Sequence, residues 1–222
     1  MTMSKINPHP LSVGLPFTGE AIEQKSFQLI EEALMGLALN ANDKSIVSRV
    51  VHATGDASIA STVRIHPDAF SCGLRALKNG CDIFCDVRML QVGITRTPNK
   101  IHCAIRDEAV AMKAKAESTT RAAAAMSHFG KRLNGAIVAI GNAPTAIWKL
   151  LELHETEGIT PALVIGIPVG FVGATESKQA LFESDLVYIT NEGTRGGSPL
   201  AAAAMNAIAI AAKQKESNET RK

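Results

Sequence analysis

Aromatic residues are scarce in this chain, 4% of 222, which leaves few platforms for stacking the bases of a single-stranded nucleic acid. The formal net charge is only +2, too small to draw in a polyanion by itself, so nucleic acid is not an expected partner. No apolar run approaches the length needed to span a bilayer, and the amino terminus lacks a basic patch followed by an apolar segment and a small-residue cleavage site. A cytoplasmic protein with no membrane partner is therefore expected. The four cysteines, Cys72, Cys81, Cys85 and Cys103, have no C-x-x-C spacing, and two fall inside strand-like apolar runs where thiols pack as small hydrophobes. That spacing implies neither a metal site nor a disulfide framework. No G-x-x-x-x-G-K-[ST] phosphate loop occurs.

What is present is an alternation. Apolar runs of strand length (IFCDV at 83–87, KIHCAI at 100–105, AIVAI at 136–140, ALVIGI at 162–167, LVYIT at 186–190) are separated by segments of helical spacing around 20–39, 43–54, 67–79, 107–128, 143–157, 175–184 and 198–213. This pattern predicts an α/β fold with a mostly parallel five-stranded sheet, doubly wound in three layers. The continuous hydrophobicity of AIVAI and ALVIGI marks central strands covered on both faces. Pro67, Pro144 and Pro199 each suit a first helical turn. With no repeat and no Gly/Ser-rich linker, residues 1–222 read as one domain, with an extended arm over 1–19 and a polar tail over 213–222.

In an open parallel sheet the ligand crevice lies beyond the carboxyl ends of the strands. Three glycine-rich loops follow strands there: GNAPT (141–145), PVGFVGATESK (168–178) and NEGTRGGSP (191–199). Asn142 and Ser198 stand where N-caps would precede Pro144 and Pro199, and helix N-termini attract anions. Pro168, Gly170 and Gly173 also mimic the spacing of a dinucleotide fingerprint, with Glu192 a strand later, so a nicotinamide-dependent oxidoreductase is a rival. Proline in place of the first glycine and the late position in the chain count against it. Arg96, Arg121 and Arg195 are candidate clamps for carboxylates, because a guanidinium offers a planar fork. Of six histidines, His52 sits with Ser45, Ser48 and Arg49 opposite the apolar stripe of Ile46, Val47, Val50 and Val51; spacing alone leaves it either a proton carrier or a solvated helix-end residue.

The segments IEQKSF (22–27), RVVHATGD (49–56), GCDIFCDVRMLQVGITR (80–96), TTRAAAAM (119–126), GAIVAIGNAPTAIWKLLEL (135–153), PALVIGIPVGFVGATESK (161–178) and GTRGGSPLAAAAMNAI (193–208) closely resemble the precorrin-8X methylmutase family, including its cobalt-precorrin-8 branch. The resemblance covers nearly the whole chain after about residue 20. It implies a flavodoxin-like sheet, a homodimer with corrinoid bound near the subunit interface, and an isomerase of cobalamin biosynthesis. That enzyme moves a methyl group from C-11 to C-12 of precorrin-8X or its cobalt form, giving hydrogenobyrinate or cobyrinate, without a cofactor. It also implies a catalytic histidine at His52 and substrate contacts at Ser26, Thr95, Arg96 and Arg121, to which the loop reading adds Asn142 and Arg195. One departure is visible: the family commonly has serine after the arginine matched by Arg121, and here Ala122 follows. A non-catalytic corrinoid carrier is a further alternative, since it would keep the fold without needing His52.

Overall fold

A computed structural model of the chain describes residues 18–219, with side chains through 214; residues 1–17 and 220–222, and with them most of the expected arm and the end of the tail, lie outside the described residues. The chain runs α1 (Gly19–Ala33), α2 (Ala41–Thr54), a 3-10 turn (Ala57–Thr62), β1 (Val63–Ile65), α3 (Ala69–Lys78), β2 (Ile83–Cys85), α4 (Arg88–Gly93) and β3 (Ile101–His102). It continues through α5 (Glu108–Ala116), α6 (Arg121–Phe129), a second 3-10 turn (Gly130–Leu133), β4 (Ile137–Ile140), α7 (Pro144–Glu157), β5 (Leu163–Gly166), α8 (Ala174–Glu183), β6 (Tyr188–Asn191) and α9 (Ser198–Glu219).

The six strands form one sheet in the order β1-β6-β5-β4-β2-β3, with β1 antiparallel to β6 and every other pairing parallel. All five expected strands are present. The expected count of five is corrected to six by β1, whose three half-buried residues carry no readable periodicity. Successive residues of the central strands point to opposite faces, as the pleat requires. Ile137, Ala139, Leu163 and Ile165 pack with α1–α4 and α9, whereas Val138, Ile140 and Val164 pack with α5–α8. Two helical layers therefore cover one sheet. β2 and β4 are neighbours while β3 lies outside β2, so the strand order reverses between β2 and β4.

The helices correct the sequence reading in five places. Residues 107–128 are two helices, because Ser118 takes a left-handed φ of 50° and Thr120 caps α6 by accepting the Ala123 N–H at 3.2 Å. The short α4 (Arg88–Gly93) was not expected at all. Pro67 lies in the turn before α3, two residues ahead of its first residue, and α9 continues through Glu219 where a polar tail was expected. Asn142 is not an N-cap: Ala143 occupies that position and makes no side-chain capping bond.

Candidate active site

Of the three glycine-rich loops at the carboxyl edge of the sheet, the one after β4 has its amides filled from within the protein. At the point where strand order reverses, the fully buried Asp86, just beyond β2, turns its carboxylate onto the loop after β4. Its oxygens accept the N–H groups of Gly141 (3.1 Å), Asn142 (2.8 Å) and Ala143 (2.8 Å). Burial holds the Asp86 carboxyl above the usual range against the pull of these three donors. The amides that would receive a nucleotide phosphate in a doubly wound fold thus already hold an internal carboxylate. Loop 168–173 is equally unlike a phosphate cradle, since it presents Phe171 and Val172 to solvent at 94% and 90% exposure.

A cavity of about 640 Å³ opens instead on the α2 and α9 side, among the last turn of α2, the end of α4 with the segment after it, the first turns of α9 and the start of α1. His52, Thr95 and Arg96 line it together with Arg49, Ser198 and Asn206. Three of the expected site residues therefore meet, and Ser26 joins them through its hydroxyl, 2.9 Å from Nδ1 of His52. The His52 ring also stacks on Phe27, with centroids 5.0 Å apart and planes 13° from parallel. Residues of α1 thereby fix the ring on two sides, and among the described residues Nε2 has no hydrogen-bond partner.

Local sequence explains how this corner is held. Asn40 caps α2 by accepting the Asp43 N–H at 2.9 Å, and Gly55 ends the helix in the left-handed region with φ of 66°. His52 thus falls in the last turn, on the side opposite the buried Ile46, Val47, Val50 and Val51. Thr95 and Arg96 sit in an irregular segment whose backbone is pinned from α9. The Asn206 carboxamide oxygen accepts both their N–H groups, at 3.0 and 3.2 Å, and its nitrogen donates to the Gly93 carbonyl at 2.9 Å. Arg49 lies over the Phe27 ring at 5.1 Å and approaches Glu23 only to 3.7 Å. Burial lowers the Arg49 pKa; the Glu23 carboxylate opposes that shift and the Arg96 guanidinium adds to it. Asn206 and Arg49 were missed as site residues. An asparagine that interrupts the alanine-rich first half of α9 was the available signal for the first, and the shared polar side with His52 for the second.

The remaining expected residues lie elsewhere on the carboxyl edge. Arg195 is paired with Asp56 at 2.6 Å and with Ser58 Oγ at 2.9 Å. Thr120 shares a 2.6 Å hydrogen bond with Thr145 in the first turn of α7, which brings exposed Arg121 to the same edge as exposed Asn142, but neither lines the cavity. Among the described residues no group of three or more His, Cys, Asp or Glu side chains is gathered so as to hold a metal ion, and all four cysteines are free. No described helix is long and apolar enough to cross a membrane.

Comparison with known proteins agrees with the resemblance read from the motifs. The model of the family described as precorrin-8X methylmutase matches residues 21–211. The chain belongs to the precorrin-8X methylmutase family. A cobalt-precorrin-8 methylmutase of Priestia megaterium is 41% identical over 198 residues, covering 87% of this chain and 88% of the relative. A precorrin-8X methylmutase of Pseudomonas aeruginosa is 39% identical over 197 residues, covering 86% and 95%. The crystal structure of the precorrin-8X methylmutase from Thermus thermophilus superimposes with a TM-score of 0.82 at 36% identity, over 89% of this chain and 98% of that one. The fold and the methylmutase family therefore coincide along almost the full length of both partners.

Proposed function

We propose that this chain catalyses the isomerisation for which its family is named, moving a methyl group from C-11 to C-12 of a precorrin-8 macrocycle and giving hydrogenobyrinate, or cobyrinate when the ring already holds cobalt. The observation that carries this reading is the combination of the family match with a cavity lined by a histidine whose Nδ1 is held by Ser26. An isomerisation neither adds nor removes electrons: one carbon–carbon bond breaks, another forms, and the conjugated double bonds rearrange. The residues need only hold the ring and a proton. His52 Nε2 acts as that proton donor at the macrocycle, and Ser26 sets its orientation through Nδ1.

The acetate and propionate groups of the macrocycle are received by Arg96, with Arg49 beside it and Thr95 supplying a hydroxyl. Arg121 and Asn142 engage carboxylates of the part of the ring that extends beyond the cavity. Arg195, whose fork is already taken by Asp56 and Ser58, supports the site without touching substrate. The chain forms one domain, its five parallel strands follow the 2-1-3-4-5 order of flavodoxin-like sheets, and it works as a cytoplasmic homodimer. A partner subunit supplies a second wall for a macrocycle too large to be enclosed by the loops of one chain.

The deciding experiment is incubation of the protein with metal-free and cobalt-bearing precorrin-8, following the visible spectrum of each. Conversion of either supports the isomerase. Binding of both without conversion would instead describe a corrinoid carrier.

A further inference from the structure

Among the described residues Lys178 is the only buried cation, at 1% exposure, and it takes no part in the chemistry above. Burial pushes its ammonium down to about 8, and among the described residues no carboxylate pairs with it. Its Nζ donates to two neutral oxygens, the Asn191 carboxamide at 3.1 Å and the Arg195 carbonyl at 2.7 Å. Leaving a cation buried without a counter-charge is costly, so a methionine of similar length would pack there at less expense. What the ammonium supplies is the shape of the loop between β6 and α9.

That loop is over-determined around the same carbonyl. Asn191 Nδ2 donates to the Arg195 carbonyl at 2.9 Å and to the Glu192 carbonyl at 3.1 Å. Gly196 lies so close to β5 that a Cβ there would meet the Ile167 and Pro168 carbonyl oxygens at 2.5 Å. From this fixed backbone Arg195 projects to Asp56, and Asp56 also accepts the Ser58 N–H at 2.8 Å, closing the turn that follows the His52 helix. Three residues after Arg195, Ser198 opens α9 and lines the cavity. Contacts therefore run without a break from Lys178 in α8 to the end of α2 that carries His52.

We infer that Lys178 is a positioning residue of the active site, which holds the Arg195 carbonyl so that the Arg195 guanidinium fixes Asp56 and with it the end of the His52 helix. This rests on the isomerase reading given above. The test is a double-mutant cycle on turnover of precorrin-8, with the wild-type rate and the His52 imidazole signals in NMR spectra measured alongside. Lys178→Met is expected to fold and to lower kcat by about ten- to a hundredfold with KM changed little, because Thr95 and Arg96 are pinned separately by Asn206. Arg195→Ala should do the same, and the double variant should lose no more than the worse single. The His52 signals should shift in Lys178→Met without substrate. Should Lys178→Met not fold, Asn191→Ala releases the same carbonyl from its other donor and should show the same non-additivity with Arg195→Ala. Multiplying losses, or a full kcat in either folded variant, would overturn the positioning role. An inactive wild type whose His52 signals still shift in Lys178→Met would sink the isomerase reading and leave the structural coupling standing.

Discussion

His52 owes its usefulness to what surrounds it. A hydroxyl on Nδ1 and a ring against its face hold it in the lining of a cavity that Arg49 and Arg96 also line. His52→Ala should leave folding intact, because the side chain is exposed, and lower turnover by about two orders of magnitude or more, the scale for losing a positioned acid. Ser26→Ala should keep corrinoid affinity while lowering kcat, since its hydroxyl orients the imidazole; an affinity loss with kcat intact would make Ser26 a substrate contact instead. For Arg121 the expectation runs through binding: Arg121→Ala should weaken corrinoid more than Arg121→Lys, as a point charge replaces a fork only in part. Equal dissociation constants for both variants and the wild type, measured by spectral titration, would reduce Arg121 to a surface charge. His52 was legible only through its motif, because i, i+3, i+4 spacing establishes a polar side and not a purpose. Asn206 was legible only as a polar break in an alanine-rich run, because its work, three hydrogen bonds to a segment 110 or so positions away, belongs to tertiary structure.

Elements were read best where packing is two-sided. β4 and β5 are wholly buried, so their sequences are continuous apolar runs that no solvent-facing residue interrupts. β1 and α4 are short and half-covered, and nothing in three to six residues separates them from loop. The glycine-rich loop after β4 misled for a physical reason: its amides are anion-ready, but Asp86, which reads as one polar residue after a strand, is the anion they hold. Asp86→Ala should accordingly destabilise the protein by about 3 kcal/mol or more, since it strands three amides, and Asp86→Asn by less. Chemical denaturation measures both. A second element-level expectation concerns α7, where His154 bonds the Ile159 carbonyl at 2.8 Å and Asp185 at 2.7 Å. Burial opposes the charged ring, but the Ile159 and Asp185 hydrogen bonds outweigh it and raise its pKa above 6.5, while the His154 hydrogen bond lowers that of Asp185. A base with a raised folded value stabilises below its unfolded value, and that contribution is lost as pH climbs through the folded one. The urea midpoint of the wild type should therefore fall relative to His154→Gln between about pH 6.5 and the raised His154 value. A constant difference across that range would contradict the assignment.

For the molecule as a whole, the alternation of strands and helices was enough to give a doubly wound sheet, because each unit of the pattern must bury itself against the last. It could not say where the ligand goes: the usual crevice is closed by Asp86, and the cavity lies to one side between α2 and α9. If a partner subunit walls that cavity, corrinoid must bind the dimer better than the monomer and tighten it by mass action. Sedimentation at falling protein concentration, with and without hydrogenobyrinate, should show a stronger dimer in its presence; a monomer binding at full affinity would reject the shared wall. The reaction itself is tested by supplying precorrin-8 labelled with carbon-13 in the methyl group at C-11 and following label and mass together. The isomerase reading requires a product of unchanged mass whose labelled methyl has moved to C-12, formed by the wild type and not at comparable rate by His52→Ala. A product whose mass differs by a pair of hydrogens, or a label that stays on C-11, would contradict it.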